Sequence, residues 1–300
     1  MQFRDVAIAL FVMVIWGGNF SVAKFGLAQI PPLTFMAMRF AVVAVLLVPF
    51  VRLPRDKIVP VFWYSVTLGG IHFGLMFWAL TQIDAATAAL ASQMGVPFAT
   101  ILSAFVFKDY PKFWRVLGIM IAFSGVVVIA GEPRFEGGLL PLLTVVAAAF
   151  AWAMGAVQAK AMGKVNGFAL NGYMALFSVP QLMIWSFFFE EGQIDALLSA
   201  DWIGWGSIFY QSLMVVIVGY GIWYKLLGKY PVSLTMPFTL LMPFFGVLFA
   251  VWLLGEEVTV PMIIGGSLTI LGVAVIVLRS SQPKHISQQA ATVECSGRLQ

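Results

Sequence analysis

The chain has 300 residues, of which 61% are hydrophobic and 10% charged, with a formal net charge of +4. Soluble domains carry roughly 25% charged residues, and no water-soluble fold hides this much apolar surface. At about 20 apolar residues per crossing, the length allows ten spans, so the sequence predicts an all-α polytopic membrane protein.

In chain order, the apolar runs predict helices over about 5–26, 31–51, 58–80, 85–107, 113–131, 138–161, 168–189, 203–226, 232–254 and 259–279. The first run follows Arg4 like a secretory signal, but it lacks a small-residue cleavage site and nine similar runs follow, so it is expected to be the first transmembrane helix. It carries W-G-G-N-F-S-V-A-K-F-G, in which Trp16, Asn19, Phe20 and Ala23 share one helical face. Arg39 falls inside the second run, roughly 12 Å from its start at 1.5 Å per residue. A bound carboxylate is one partner for it; snorkelling outward or tying up carbonyls of a broken helix are the alternatives. His72 sits in the middle of the third run, where it either titrates near physiological pH or packs as a satisfied core histidine.

The fourth run holds Gln93 before Pro97, and the ninth holds Pro243, so both helices are expected to kink or hinge there. The sixth repeats the face of the first with Trp152, Gly155, Ala156 and Ala159, and the eighth adds Tyr220 and Trp223. Trp16, Asn19, Phe20, Arg39, His72, Gln93, Trp152, Tyr220 and Trp223 thus make up the candidate substrate-binding surface. It joins aromatic faces and amide donors suited to an apolar side chain or an ammonium. Breakers such as Pro31-Pro32, Pro54, Pro111, Pro133, Gly167 and Pro231 mark the joints, and the longest connection, about 190–202, is acidic. From about Ser281 the tail is polar and expected to be disordered. Its Cys295 is the chain's one cysteine, which excludes a disulfide framework and a thiolate metal site.

Assigning alternate loops to one side collects Arg4, Arg52, Arg55, Lys57, Lys108, Lys112, Arg115, Lys160, Lys164, Lys225, Lys229, Arg279, Lys284 and Arg298, which is fourteen of the 17 basic residues. Lys24 and Arg134 fall on the other side with the acidic loop and Glu256-Glu257. Basic residues are retained in the cytoplasm, so both termini are expected there, and ten is the number of spans that keeps the basic loops together. This rule accounts for the positive charge, which is therefore no argument for nucleic acid.

Trp16 is followed eight residues later by Lys24, and Trp152 eight residues later by Lys160, at an offset of 136. Pro97 and Pro243 are 146 apart, while Asp109 and Glu256, Gly118 and Gly265, and Gly125 and Gly272 are each 147 apart. Two five-helix repeats, about 1–134 and 135–280, with a tail over 281–300, follow from this pattern. Five is odd, so the second copy is expected to cross the membrane in the opposite sense, an arrangement that suits alternating access to a midplane site.

V-I-W-G-G-N-F near the start, I-P-P-L…R-F of the second helix, V-G-Y-G-I-W-Y-K-L-L-G-K-Y, P-F-F-G-V-L-F-A-V-W-L-L-G-E-E and the G-x6-G of the tenth helix together resemble the EamA branch of the drug/metabolite transporter superfamily. The resemblance spans residues 5 to 279. It implies ten helices in a 5+5 inverted arrangement, a bacterial inner membrane, and export of small metabolites, with exporters of cysteine and O-acetylserine or of aromatic amino acids the most similar members. The first half departs from the pattern with F-K-D-Y where the family repeat more often has G-E.

Enzyme readings find no support in the residues. There is no H-E-x-x-H, no phosphate loop of the G-x-x-x-x-G-K type, and no acid pair at depth, since Asp84, Asp109, Glu132, Glu256 and Glu257 all lie at helix ends. No cofactor or metal is called for. A carrier of phosphorylated or nucleotide-linked sugars would need several buried cations, and Arg39 alone qualifies. Drugs and organic cations are the other substrates of the same superfamily. The expected partners are a small-molecule substrate and the lipid bilayer.

Overall fold

The computed structural model describes residues 1–108, 110–131 and 139–280. Asp109, Glu132, Pro133, Arg134 and the tail with Cys295 lie outside the described residues. Ten helices are long and apolar enough to cross a membrane: α1 Phe3–Leu27, α2 Pro32–Phe50, α3 Arg55–Leu80, α4 Ala85–Phe107, α5 Phe113–Ala130, α6 Leu140–Ala161, α7 Gly167–Phe189, α8 Trp202–Lys229, α9 Met236–Leu254 and α10 Val260–Leu278. Lipid offers no hydrogen-bond partners, so each span closes its backbone bonds on itself. The ten expected runs are therefore ten helices, with ends shifted by a few residues. The acidic 190–202 connection contains a short helix, Gln193–Ser199.

The joints are closed by side chains that take up the free N–H groups of helix starts. Asn166 Oδ1 accepts from Phe168 N and Ala169 N at 2.9 and 3.2 Å at the start of α7. Asp201 Oδ1 accepts from Ile203 N and Gly204 N at 2.7 and 3.1 Å at the start of α8, and from Gln29 Nε2 at 2.8 Å.

Two more caps cross from one span to another. Glu190, at the end of α7, accepts from Leu33 N at 2.6 Å and Thr34 N at 3.0 Å at the start of α2. Glu256, beyond α9, accepts from Ala85 N at 2.7 Å and Ala86 N at 3.0 Å at the start of α4, and pairs with Lys24 of α1 at 3.6 Å. Glu190, Asp201 and Glu256 all lie on the side that holds the acidic loops.

Helix pairing has a two-fold pattern. α1 packs on α8 and α9, while α6 packs on α3 and α4; α2 packs on α7, and α5 on α10. Exchanging the first five helices for the last five leaves this list unchanged. The matched glycines meet at one crossing: a Cβ on Gly125 would strike the Gly265 carbonyl and Thr269, and one on Gly272 would strike Gly118 and Ala122. Small residues let backbones approach this closely in lipid, where the hydrophobic effect gives no drive for helix association.

The helices are irregular at matched places. α3 widens into a π-helical stretch over Ser65–His72, and α8 does so over Tyr210–Tyr220. α4 tightens to a 3₁₀ turn at Ser92–Met94 just before Pro97, and α9 does so over Met236–Leu241 just before Pro243. Proline lacks the N–H that would bond the carbonyl four residues back and clashes with that carbonyl, which puts the distortion at Gln93 and Thr239.

Candidate functional site

A cavity of ≈ 190 Å³ lies among α2, α3, α6, α7 and α8. Its lining includes Arg39, Tyr64, Phe73, Trp152, Asn171, Met174, Tyr220 and Tyr224. The π-helical stretches contribute Leu68 and Val216 to the lining and end at or beside Phe73 and Tyr220. A widened turn rotates all later side chains relative to a regular helix, and this sets which groups of α3 and α8 face inward.

Arg39 is 2% exposed. Its guanidinium lies 5.0 Å from the centre of the Phe73 ring and 5.8 Å from those of Phe40 and Phe77. Its Nε has no hydrogen-bond partner, and Nη1 reaches the Met36 sulfur at 3.9 Å. The ion pairs among the described residues join Lys24 to Glu256, Lys57 to Asp56 and Lys229 to Asp5, so Arg39 has no carboxylate of its own there. Ring faces offset part of the cost of a cation in hydrocarbon, and they leave its donor edge for something else.

Around it the polar groups are neutral. Asn171 Nδ2 donates to the Tyr224 hydroxyl at 3.1 Å, so that hydroxyl's own proton is free to point elsewhere. Tyr220 stacks on Tyr224 at 5.9 Å and meets Trp16 at 5.0 Å. Trp152 is 39% exposed, lines the cavity, and covers Gly95 of α4, where a Cβ would strike its ring.

Of the nine residues expected at the binding surface, Arg39, Trp152 and Tyr220 line this cavity. Trp16 stands behind Tyr220: its Nε1 donates to the Val215 carbonyl at 3.1 Å, and its ring meets Trp223 at 5.6 Å. Asn19 faces α8 too, its backbone carbonyl accepting from Gln211 Nε2 at 2.9 Å while its buried Oδ1 has no partner. Phe20 is in the apolar core. His72 holds α3 to α6 through Nδ1 and the Ala148 carbonyl at 2.8 Å, a contact that requires the proton on Nδ1. Gln93 is buried in the 3₁₀ turn of α4.

Tyr64, Asn171, Met174 and Tyr224 were not singled out from the sequence. Tyr224 alone had a local signal, since it follows Tyr220 by four residues on one face. The first helix, which carries three of the nine expected residues, does not line the cavity, because its Trp16 and Asn19 turn toward α8.

Ten membrane-length helices in two matched sets, with a cavity holding one unpaired cation between them, define a multi-pass membrane carrier. The EamA-like transporter family matches residues 5–131 and again 139–278. A "Probable amino-acid metabolite efflux pump" of Salmonella typhimurium is 31% identical over 282 residues, covering 91% of this chain and 94% of that protein. The Escherichia coli protein of the same name is 31% identical over 290 residues, again covering 91% and 94%. An uncharacterized transporter of Archaeoglobus fulgidus is 28% identical, covering 91% of this chain and 98% of its own length. A solved crystal structure shares the fold at a TM-score of 0.64 and 18% identity, covering 94% of this chain. The chain belongs to the EamA-like transporter family.

Proposed function

We propose that this chain exports amino acids or related small metabolites across a bacterial inner membrane by alternating access, with both termini in the cytoplasm. The observation that carries the substrate class is Arg39, a buried guanidinium at the cavity with no carboxylate of its own among the described residues. A substrate carboxylate supplies the missing partner, and a charge-assisted bidentate contact is among the strongest a protein offers. The efflux relatives at 31% identity support the direction of transport. The cavity's ≈ 190 Å³ suits a solute of amino-acid size rather than a nucleotide sugar.

The repeats in this reading are residues 1–134 and 135–280, inverted relative to each other, with Pro97 and Pro243 as hinges of α4 and α9. The exchange symmetry of the helix contacts and the 3₁₀ turns before both prolines support it. The fourteen basic residues on one side support cytoplasmic termini, and the cavity then runs from mid-membrane, at Arg39 and Phe73, toward the cytoplasmic side, at Tyr64, Asn171 and Tyr224. That is where an exporter loads.

The test is exchange in proteoliposomes with a panel of labelled amino acids, a sugar phosphate and an organic cation, each with and without a pH gradient. Amino acid exchange is expected, lost in Arg39→Gln. Movement of the sugar phosphate or the organic cation without any amino acid overturns the substrate class. Acceleration by the gradient that disappears in His72→Asn assigns coupling to His72; equal rates assign facilitated efflux.

A further inference from the structure

We infer that the site selects net monoanions: carboxylates whose amino group is absent or neutralised, such as 2-oxo and 2-hydroxy acids, in preference to the zwitterionic amino acids of the same shape. This rests on the proposal that Arg39 holds the substrate carboxylate, and it concerns what meets the other end of the solute. The lining holds one cation, Arg39, and no Asp or Glu. Its other polar groups are the phenols of Tyr64, Tyr220 and Tyr224, the Asn171 amide and the Trp152 indole, all neutral.

A monoanion makes the occupied cavity neutral. A zwitterion leaves it at net positive charge and adds an ammonium that has lost its water. In a low-dielectric site, burial of a charge without a counter-charge is costly. Cation–π contact with the tyrosines offsets only part of this.

Carriers with broken helices can meet an ammonium with freed backbone carbonyls, but here side chains already occupy carbonyls beside the cavity. The Val215 carbonyl in the π-helical stretch of α8 accepts from Trp16 Nε1 at 3.1 Å. The Arg39 carbonyl accepts from Ser212 Oγ at 3.1 Å, and the Ala148 carbonyl from His72 Nδ1 at 2.8 Å. Asn171 turns its amide nitrogen to Tyr224 at 3.1 Å, so an ammonium would meet the amide oxygen and phenol oxygens, all neutral, and no counter-charge in the lining. By contrast a 2-oxo or 2-hydroxy group carries no charge to compensate and needs one donor or one acceptor, which the phenols of Tyr64 and Tyr220 supply.

The experiment is counterflow into proteoliposomes of the full chain, with the membrane potential clamped at zero by equal potassium and valinomycin. Four labelled solutes of one carbon skeleton are compared: valine, its 2-oxo acid, its 2-hydroxy acid and valinamide. The oxo and hydroxy acids are expected to exchange about tenfold faster than valine at equal concentration, the factor expected for one well-made charged contact, and valinamide is expected not to exchange. Arg39→Lys is expected to keep the order, and Arg39→Gln to abolish it; the wild-type panel decides the matter even if neither variant folds. Valine exchanging as fast as its oxo acid, or faster, overturns this inference while the amino acid exporter stands. Exchange of none of the three carboxylates overturns both.

Discussion

At the residue scale, ordinary side chains do their work here by where the backbone delivers them. Trp16 carries a hydrogen bond to the Val215 carbonyl and a wall for Tyr220. Trp16→Phe keeps the wall and loses the bond, at a cost of about 1 kcal/mol, so efflux is expected at near wild-type rate with a small rise in KM. Trp16→Ala loses both and is expected to raise KM severalfold, because Tyr220 is then held on one side only. Normal transport by Trp16→Ala would remove α1 from the site's support.

Asp201 lies outside the spans and offers a pH test. Gln29 and the N–H groups of Gly204 and Ile203 stabilise its charged form and hold its carboxyl below the usual carboxylate value. A group whose folded value is depressed stabilises the protein above its unfolded pKa and loses that contribution as pH falls through the folded value. Melting of the detergent-solubilised protein is thus expected to show an acid-side loss below about pH 4 that Asp201→Ala lacks. The same variant is expected to melt earlier near neutral pH, since the Ile203 and Gly204 N–H groups lose their side-chain acceptor.

At the element scale, the two halves solve one problem with different residues. α9 ends at Gly255 with φ of 66°, and the matched end of α4 is Lys108 with φ of 55°. Glycine takes that conformation without steric cost, whereas a residue with a Cβ loses about 1 kcal/mol. Lys108 is exposed, so Lys108→Gly is expected to stabilise the protein by about 1 kcal/mol in thermal melts, and Gly255→Lys to do the reverse. The lysine of the F-K-D-Y departure is therefore a strained counterpart of the glycine cap.

The α5–α10 crossing gives the opposite sign. Gly125→Val pushes a side chain into the Gly265 backbone and is expected to lower stability by about 3 kcal/mol or more, with loss of folded protein after detergent extraction.

The spans, the paired prolines and the matched glycines were legible because apolar length and repeat spacing are written along the chain. The π-helical stretches of α3 and α8 were not, since packing against other helices decides whether a turn widens. Tyr64 and Asn171 were silent for the same reason. Each is one of several polar residues on its helix, with no spacing that marks it out, and only the fold brings both to the cavity that Arg39 lines.

At the scale of the whole molecule, three acidic side chains tie helices together at one end. Glu190 ties α7 to α2, Glu256 ties α9 to α4 and to Lys24, and Asp201 ties α8 to Gln29, all at one end. The cavity lies toward the other end, between the α2 and α7 walls that Glu190 joins. In the orientation proposed above, alternating access requires those ties to break when the site opens outward. A hydrogen bond to a charged group contributes about 1.5–3 kcal/mol, so loss of one such bond with the Glu190 charge is expected to shift the population toward the form open at the acidic end by a factor of roughly 10–150.

Accessibility reads that shift directly. In a Cys295→Ser background, Ala156→Cys puts one thiol on the cavity lining. A membrane-impermeant maleimide is expected to label it in inside-out vesicles and not in right-side-out ones. Adding Glu190→Gln is expected to lower the first rate and raise the second, because the carboxylate that caps α2 no longer holds the acidic end closed. Equal labelling from both sides in the parent would mean that the ties do not seal that end. An unchanged ratio with Glu190→Gln would mean that the seal lies in apolar packing between α2 and α7, with the cap contributing only to helix stability.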